Sequence, residues 1–241
     1  MRASSGSLGI YPCRLVCRFL QGVKREFTVT DKIKIDIVSD VVCPWCIIGY
    51  KRLERAIDEL GMQDVIELEW QPFQLNPHVG PEGENLREHL MGKYGISRED
   101  SDRNRQNLTQ LGQELGFQFS FFDEMKTLNT RDAHILLEYA KEKGKQTALK
   151  LRLFDAYFSE KQDISNRDTL AKLLEEVGLS AEEGMAKLED AKAAKIFSDT
   201  QSYWRGLGVS SVPTIVFNRE SAVTGAQPVD VLKQILKELD S

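Results

Sequence analysis

The tetrapeptide Cys43-Pro44-Trp45-Cys46 separates two segments of different periodicity, and it constrains the fold more than any other feature of the chain. Before it, residues 32–38 alternate polar and apolar side chains, which predicts a strand. After it, residues 44–60 place apolar side chains on one helical stripe, and Gly61 is suited to end that helix. Two thiols at a helix N-terminus predict a dithiol switch, because the positive end of the helix favours thiolate over thiol.

Two other interpretations of the cysteine pair compete with redox chemistry. A C-x-x-C pair is also half of a tetrahedral zinc site, and free cysteines are often small buried hydrophobes. Zinc needs four ligands, but Cys13 and Cys17 lie far away in the N-terminal segment and the histidines are not spaced as ligands. A C-x-x-C pair between a strand and a helix therefore favours redox chemistry.

Charge and hydropathy exclude several classes of partner. The chain has 241 residues, 41% of them hydrophobic, and a net charge of −5. No apolar run approaches the roughly 18 residues that a membrane helix needs. Residues 1–25 contain five basic side chains and no acid, so the remainder carries −10. An acidic body argues against nucleic acid and against an anionic membrane surface as partners.

The N-terminal arm, residues 1–31, differs from the rest of the chain. It is basic, contains serines and lacks periodicity, so we expect it to be disordered. Its composition resembles an organellar transit peptide, the alternatives being a mis-assigned start codon or a cloning scar. Without export, the cysteine pair would meet a reducing compartment, where catalysis is more typical than a structural disulfide. We therefore predict a cytoplasmic protein, or an organellar one if the arm is a transit peptide.

The remaining chain predicts two halves of one sheet separated by helices. Residues 64–70 form a second predicted strand, parallel to the first through a right-handed crossover. No strong strand appears between about residues 84 and 207. Strand character returns at 214–217 and 222–224, which predicts a hairpin, and an amphipathic helix follows at 229–239. The helical segments predicted in between are 84–94, 98–115, 131–143, 145–159, 167–177 and 181–206.

A second informative motif, Val212-Pro213-Thr214, comes directly before the third long strand. Proline cannot donate to a sheet ladder, so it belongs at the start or the edge of a strand. An X-Pro bond is cis in a minority of cases, and the residues alone leave the isomer open.

Taken together, the motifs resemble the DsbA family, and more narrowly its FrnE-like branch. Relatives of that branch include 2-hydroxychromene-2-carboxylate isomerases and kappa-class glutathione transferases. The resemblance spans residues 32–241 and is far more specific than C-x-x-C alone. The matching stretches are 39–46 (SDVVCPWC), 71–77 (QPFQLNP), 129–134 (NTRDAH), 208–214 (GVSSVPT) and 221–228 (SAVTGAQP).

This resemblance implies an α/β protein with a thioredoxin fold and a large all-helical insertion. Residues 32–83 and 208–241 would form the thioredoxin-fold domain, and residues 84–207 the helical insertion domain. It also implies a cis Val212–Pro213 bond facing the dithiol, with a substrate strand paired to the backbone of Val212. The glutathione-using relatives carry serine where this chain has Cys43, a departure that favours redox chemistry. The second cysteine pair of some FrnE-like proteins is absent from the sequence.

We therefore predict a thiol–disulfide oxidoreductase in which Cys43 attacks and Cys46 resolves the mixed disulfide. The neighbouring residues expected to shape the site are Pro44, Trp45, Val212 and Pro213. No cofactor or metal is expected to be required, and glutathione is a candidate redox partner. The expected substrate is a disulfide- or thiol-containing protein or small molecule, and the helical insertion offers surfaces for an oligomer.

Two other functions stay open at this point. One is a glutathione-dependent isomerase or transferase that acts on an aromatic small molecule, and the other is a non-catalytic thioredoxin-fold binding module. Asp36 and Asp40 are close to the motif in sequence. They could shuttle a proton or raise the thiol pKa, or equally be surface residues in solvent, so we assign them no role. His78 is interpreted as a loop residue in solvent.

Overall fold

The computed structural model describes residues 32–240. The basic arm, with Cys13, Cys17 and the proposed transit peptide, lies outside the described residues. The strands are β1 (Ile33–Ser39), β2 (Ile66–Pro72), β3 (Glu84–Asn85), β4 (Lys126–Thr127), β5 (Thr214–Phe217) and β6 (Ser221–Thr224). The helices are α1 (Pro44–Leu60), α2 (Leu86–Tyr94), α3 (Arg98–Glu114), α4 (Arg131–Glu142), α5 (Gln146–Phe154), α6 (Arg167–Glu176), α7 (Ala181–Glu189), α8 (Ala191–Gly206) and α9 (Val229–Leu239).

One four-stranded sheet joins the two ends of the described chain, in the order β2-β1-β5-β6. Strand β1 pairs in parallel with β2 and antiparallel with β5, and β5 and β6 form the expected hairpin. Because β1 has neighbours on both sides and packed layers on both faces, Ile35 and Ile37 are completely buried. The fold is therefore the predicted α/β thioredoxin fold with a helical insertion.

Helix α1 is held by both halves of the sheet. It begins at Pro44, whose missing N–H costs nothing in the first helical turn, and Gly61 ends it in the left-handed conformation. It packs against α9, and Arg52 donates a 2.6 Å hydrogen bond to the carbonyl of Ala226 beyond β6. The position of the cysteine pair is thus tied to the C-terminal segment.

The inserted helices cover the β2 side of the sheet, and one glutamine ties them to it. The Gln146 side chain accepts a hydrogen bond from the N–H of Trp70 and donates one to its carbonyl, both at 2.9 Å. The Trp70 indole N–H also donates to the Thr147 hydroxyl at 3.0 Å. Because β2 is an edge strand of this sheet, these contacts pair backbone groups that would otherwise be unsatisfied.

The structure corrects the prediction of secondary structure at three places. The segment 181–206 is two helices, because Asp190 is extended and its carboxylate caps α8 by accepting from the N–H of Lys192. The end of the segment 145–159 is a π-helical turn, Asp155–Ser159. Strands β3 and β4 form a short antiparallel pair inside the insertion, where no strong strand was expected.

None of the helices within residues 32–240 combines the length and the apolar character needed to cross a bilayer.

Candidate active site

Cys43 lies at the tip of the turn that joins β1 to α1. Its N–H bonds to the carbonyl of Asp40 at 3.3 Å, and its own carbonyl accepts from the N–H of Cys46 at 3.1 Å. Cys43 is the N-cap residue of α1, so its side chain lies at the positive end of the helix. Both cysteines are free thiols, with 4% of Cys43 exposed and none of Cys46. The exposed fraction makes Cys43 the one of the two that a substrate can reach.

The loop before β5 meets this turn from the opposite side. The Cys43 Sγ lies 3.8 Å from the carbonyl oxygen of Val212, and the Val212–Pro213 peptide bond is cis. Behind the loop, a side chain built on Gly49 would place its Cβ 3.1 Å from Cγ of Pro213, so α1 and the loop are in close contact. The structure therefore brings together Cys43 and Val212, which are 169 residues apart in sequence.

Trp45 is 40% exposed beside Cys43 and forms the apolar rim of the site. Large apolar side chains at a rim offer contact area to a partner without a fixed hydrogen-bond pattern. The Val212 carbonyl oxygen adds a polar acceptor to this apolar rim.

Cys46 is held as a thiol. Burial raises the pKa of Cys46 well above its ordinary value, and the hydrogen bond and charge that Cys43 presents add to the rise. The charge of Lys150 and the backbone N–H of Asp40 oppose it. Cys46 therefore keeps its proton at neutral pH.

Asp40 is buried and almost fully hydrogen-bonded. Its carboxylate accepts from the N–H groups of Val41 and Leu75, both at 2.8 Å, and lies 3.1 Å from Nε2 of His134. Burial alone would raise the pKa of Asp40, but the hydrogen bonds from His134 and Leu75 and the charge of Lys150 outweigh it and lower that pKa. Burial also lowers the pKa of His134, with Asp40 opposing the change. At neutral pH the pair therefore consists of a carboxylate and a neutral imidazole.

Lys150 on α5 is fully buried, and it lies close enough to Cys46 and Cys43 for their charges to act on it. Its Nζ lies 5.2 Å from the centre of the Trp70 ring and 5.1 Å from that of Phe154, both within cation–π range. Among the residues that the structure describes, none forms a hydrogen bond with this ammonium group.

The surroundings of Lys150 act on its charge in opposite directions. Burial lowers the pKa of Lys150 to about 8, while Cys46, Asp40 and Cys43 pull it upward. Burying a charged ammonium group here costs free energy of folding. The negatively charged groups that act on it, Asp40 and the thiolate forms of Cys46 and Cys43, all belong to the site itself.

Sequence reasoning missed the cluster of Asp40, His134 and Lys150. Of the interpretations left open for Asp36 and Asp40, the solvated surface position is wrong, since both are buried. Asp36 accepts hydrogen bonds from Gln71 and Arg219 and makes no bond to a cysteine. His78 is exposed, as expected.

One signal for the missing cation was present in the sequence. Lys150 falls on the helical stripe of Gln146, Leu149, Leu153 and Phe154, all of which are buried on α5. A charged residue in the middle of an apolar stripe indicates a buried ionisable group. No local pattern, however, shows that this stripe meets the cysteine turn.

The part of the chain that the structure describes holds no group of three or more His, Cys, Asp or Glu side chains arranged to bind a metal ion.

Comparisons with known proteins agree on the fold family. Residues 34–237 match the family model described as the DSBA-like thioredoxin domain. The protein YwbO of Bacillus subtilis, described as uncharacterised, is 28% identical over 216 residues, which cover 86% of this chain and 96% of YwbO. The crystal structure of the probable DsbA oxidoreductase SCO1869 from Streptomyces coelicolor is similar with a TM-score of 0.81 and 31% identity, over 86% of this chain and 89% of that one.

A more distant solved structure shares the fold alone. It is the cytosolic disulfide reductase DsbM from Pseudomonas aeruginosa, solved with GSH. Its TM-score is 0.60 at 17% identity, over 86% of this chain and 100% of DsbM.

Proposed function

Since the chain belongs to the DSBA-like thioredoxin domain family, we propose that it catalyses thiol–disulfide exchange through Cys43 and Cys46. The observation that carries the proposal is the position of the Cys43 sulfur. It lies at the N-terminus of α1, 3.8 Å from the Val212 carbonyl oxygen, and its partner Cys46 has a raised pKa that keeps it protonated. The helix N-terminus stabilises negative charge on a sulfur in that position. The Val212 carbonyl beside it can accept a hydrogen bond from the backbone of a substrate.

The exchange proceeds in two displacements. In the direction of substrate reduction, the Cys43 thiolate attacks a substrate disulfide, forms a Cys43–substrate bond and releases one substrate thiolate. Cys46 then loses its proton and attacks the Cys43 sulfur, which forms the Cys43–Cys46 disulfide and releases the second substrate thiolate. The two protein thiols are oxidised, one substrate disulfide is reduced to two thiols, and the proton of Cys46 ends on the released sulfur.

The proposed roles of the other site residues follow from their positions. Pro44 fixes the first turn of α1, and Trp45 presents an exposed apolar surface next to Cys43. The backbone of Val212 aligns the substrate strand, and Pro213 carries the Val212 carbonyl toward the sulfur. The assignment to the FrnE-like branch stays a prediction from the sequence motifs.

Glutathione is the proposed small-molecule redox partner. The DsbM structure was solved with GSH, and the two proteins share their fold. In a reducing compartment such as the cytoplasm, glutathione would return the Cys43–Cys46 disulfide to the dithiol by the same two displacements in reverse. The substrate is a disulfide- or thiol-containing protein or small molecule.

The test is reduction of a model protein disulfide, such as insulin, with glutathione as reductant. We expect turnover by the wild type, complete loss in Cys43→Ser, and accumulation of a covalent protein–substrate adduct in Cys46→Ser, since the second displacement is then blocked. Tyr94→Phe, an exposed residue of α2, is the control and should turn over at the wild-type rate. Full activity of Cys43→Ser would overturn the proposal.

The same preparation separates the other functions. A glutathione-dependent isomerase or transferase would bind glutathione and keep its activity after both thiols are alkylated. A non-catalytic binding module would exchange no disulfide at any pH. Glutathione-using relatives carry serine at the position of Cys43, so this cysteine argues against an isomerase or transferase.

A further inference from the structure

Lys150 reaches the site because the insertion is clamped to the edge of the sheet. The Gln146 side chain bonds both backbone groups of Trp70, which fixes the start of α5 against β2. One helical turn later, Lys150 lies over the Trp70 ring and lines a small cavity with His134, the residue bonded to Asp40 of the cysteine turn. The cation is therefore supplied by the helical insertion, whereas both cysteines come from the thioredoxin-fold part of the chain.

Burying the Lys150 ammonium group costs more free energy than a residue with only a packing role would require. This ammonium group is removed from water, has no hydrogen-bond partner among residues 32–240, and lies within cation–π range of the Trp70 and Phe154 rings. An apolar side chain of the same length would fill this space without burying a charge. The ionisable groups that face it across the surrounding elements are Asp40, Cys43, Cys46, His134 and Glu138.

We propose that Lys150 is a positioning residue for the resolving step, whose ammonium group provides the counter-charge for the Cys46 thiolate. The proposal rests on the proposed function and adds to it a residue of the insertion that acts through Cys46. Asp40, bonded to His134 and to the Leu75 backbone, supplies the negative charge that keeps Lys150 protonated in the interior.

The chemistry of the second displacement explains the need for a buried cation. Cys46 must become a thiolate in a place where burial favours the thiol, and no solvent is available there to stabilise its charge. As Cys46 releases its proton, the Lys150 charge stabilises the anion. The thiolate then bonds to the Cys43 sulfur, the bond from Cys43 to the substrate breaks, and the electron pair leaves with the substrate sulfur, which takes up the proton that Cys46 released.

A chromogenic disulfide, dithiobis-nitrobenzoate, measures the two displacements separately in the fully reduced protein. The attack of Cys43 releases one thionitrobenzoate, and closure of the Cys43–Cys46 disulfide releases a second one. In Lys150→Met we expect the first phase to be unchanged and the second to be slower by about tenfold, the effect of one unit in the pKa of the resolving thiol. Lys172→Met, an exposed lysine on α6, is the matched control and should show wild-type rates in both phases.

The pH profile of the second phase distinguishes an electrostatic role from a structural one. In the wild type we expect the rate to rise less steeply above about pH 8, where Lys150 loses its charge. In Lys150→Met and in Lys150→Gln the rate should rise without that break. If neither variant folds, as judged by thermal unfolding, the wild-type profile alone decides. A break near pH 8 supports the electrostatic role of Lys150, and a profile without it overturns that role.

The outcomes separate the two proposals. A wild type that releases no thionitrobenzoate overturns the proposed function itself. A wild type with two phases, and folded variants whose second phase has the same rate and the same pH profile, overturns the role of Lys150 alone. A slower first phase in the variants would assign Lys150 to Cys43 instead, and would equally overturn the proposal.

Discussion

The sulfur of Cys43 and the carbonyl oxygen of Val212 lie 3.8 Å apart, although they belong to opposite ends of the described chain. Two contacts maintain that distance. Gly49 on α1 leaves room for the Pro213 ring, and the N–H of Gly225 donates to the Pro213 carbonyl at 2.7 Å. The distance between the Cys43 sulfur and the Val212 carbonyl oxygen is thus set by packing beneath the site.

Enlarging Gly49 should therefore slow the reaction without unfolding the protein. A Cβ at this position already lies 3.1 Å from Pro213, so Gly49→Ala should have a small effect, whereas the longer side chain in Gly49→Leu must displace the loop. Overpacking of this kind typically costs about 1–3 kcal/mol of stability. Because displacing reacting groups by about 1 Å can cost up to about a hundredfold in rate, we expect insulin reduction to fall by about tenfold in Gly49→Leu. Gly206→Leu on α8, where a Cβ would meet no atom within 4 Å, is the control. Equal rates for Gly49→Leu and the control would contradict the role of this contact.

Much of the fold follows from local sequence patterns, but the charged interior does not. The alternation in β1, the stripe on α1 and the glycine after it are local signals, and each was predicted within a residue or two. The break at Asp190 was missed because an aspartate that caps one helix reads equally well as a polar surface residue inside a longer one.

The cluster behind the cysteines is a product of tertiary packing. Asp40 and His134 are 94 residues apart, and their hydrogen bond depends on how α4 lies against the cysteine turn. The sequence supplied Cys43, Cys46 and the Val212–Pro213 motif as candidates because each stands at a strand end. The sequence does not show how the inserted helices pack against the sheet, so it gives no reason to place Lys150 near Cys46.

The two thiols should differ strongly in their reactivity toward alkylating agents. Burial, the largest cause of the raised pKa of Cys46, persists when Cys43 is replaced. In Cys43→Ser we therefore expect iodoacetamide to react with Cys46 slowly at neutral pH, whereas in Cys46→Ser it should react faster with Cys43, the partly exposed one of the two. Mass spectrometry after timed alkylation measures both rates.

Guanidinium-unfolded samples of the same two variants provide the control, since both thiols should then react alike. Folded Cys43→Ser that is modified at neutral pH as fast as folded Cys46→Ser would contradict the assignment of Cys46 as the protected thiol.

Replacing Asp40 by asparagine should weaken the fold and alter its response to acid. Both carboxylate oxygens accept backbone N–H groups, so Asp40→Asn must direct its NH₂ group at either Val41 or Leu75. A buried donor facing another donor costs about 1–3 kcal/mol. Because the pKa of Asp40 is lowered by folding, its charge stabilises the protein above the unfolded pKa of 3.8, and that stability is lost as the pH falls through the lower folded value.

Urea unfolding between neutral pH and about pH 3 tests both statements. Asp40→Asn should be less stable at neutral pH, and the difference from the wild type should shrink as the pH falls. Asp168→Asn, at the exposed first turn of α6, should leave the curve nearly unchanged. A constant difference at all pH values would show that the charge of Asp40 contributes nothing to stability.

Lys150→Met should make the protein more stable at neutral pH, which is the opposite of most core substitutions. Folding lowers the pKa of Lys150 from 10.5 to about 8, which corresponds to about 3 kcal/mol of destabilisation while the group is charged. Below about pH 8 this cost is present in full, and it is relieved as the pH rises toward 10.5, because the folded lysine is then neutral while the unfolded one still binds its proton.

The stability gained by Lys150→Met over the wild type should therefore be largest below pH 8 and decrease between about pH 8 and pH 10.5, as measured by urea unfolding. The control Lys172→Met should show no gain. A variant that is more stable yet slower in disulfide closure would show that the cation is retained for the reaction, whereas a less stable variant would mean that its contacts with Trp70 and Phe154 outweigh the cost of burying the charge.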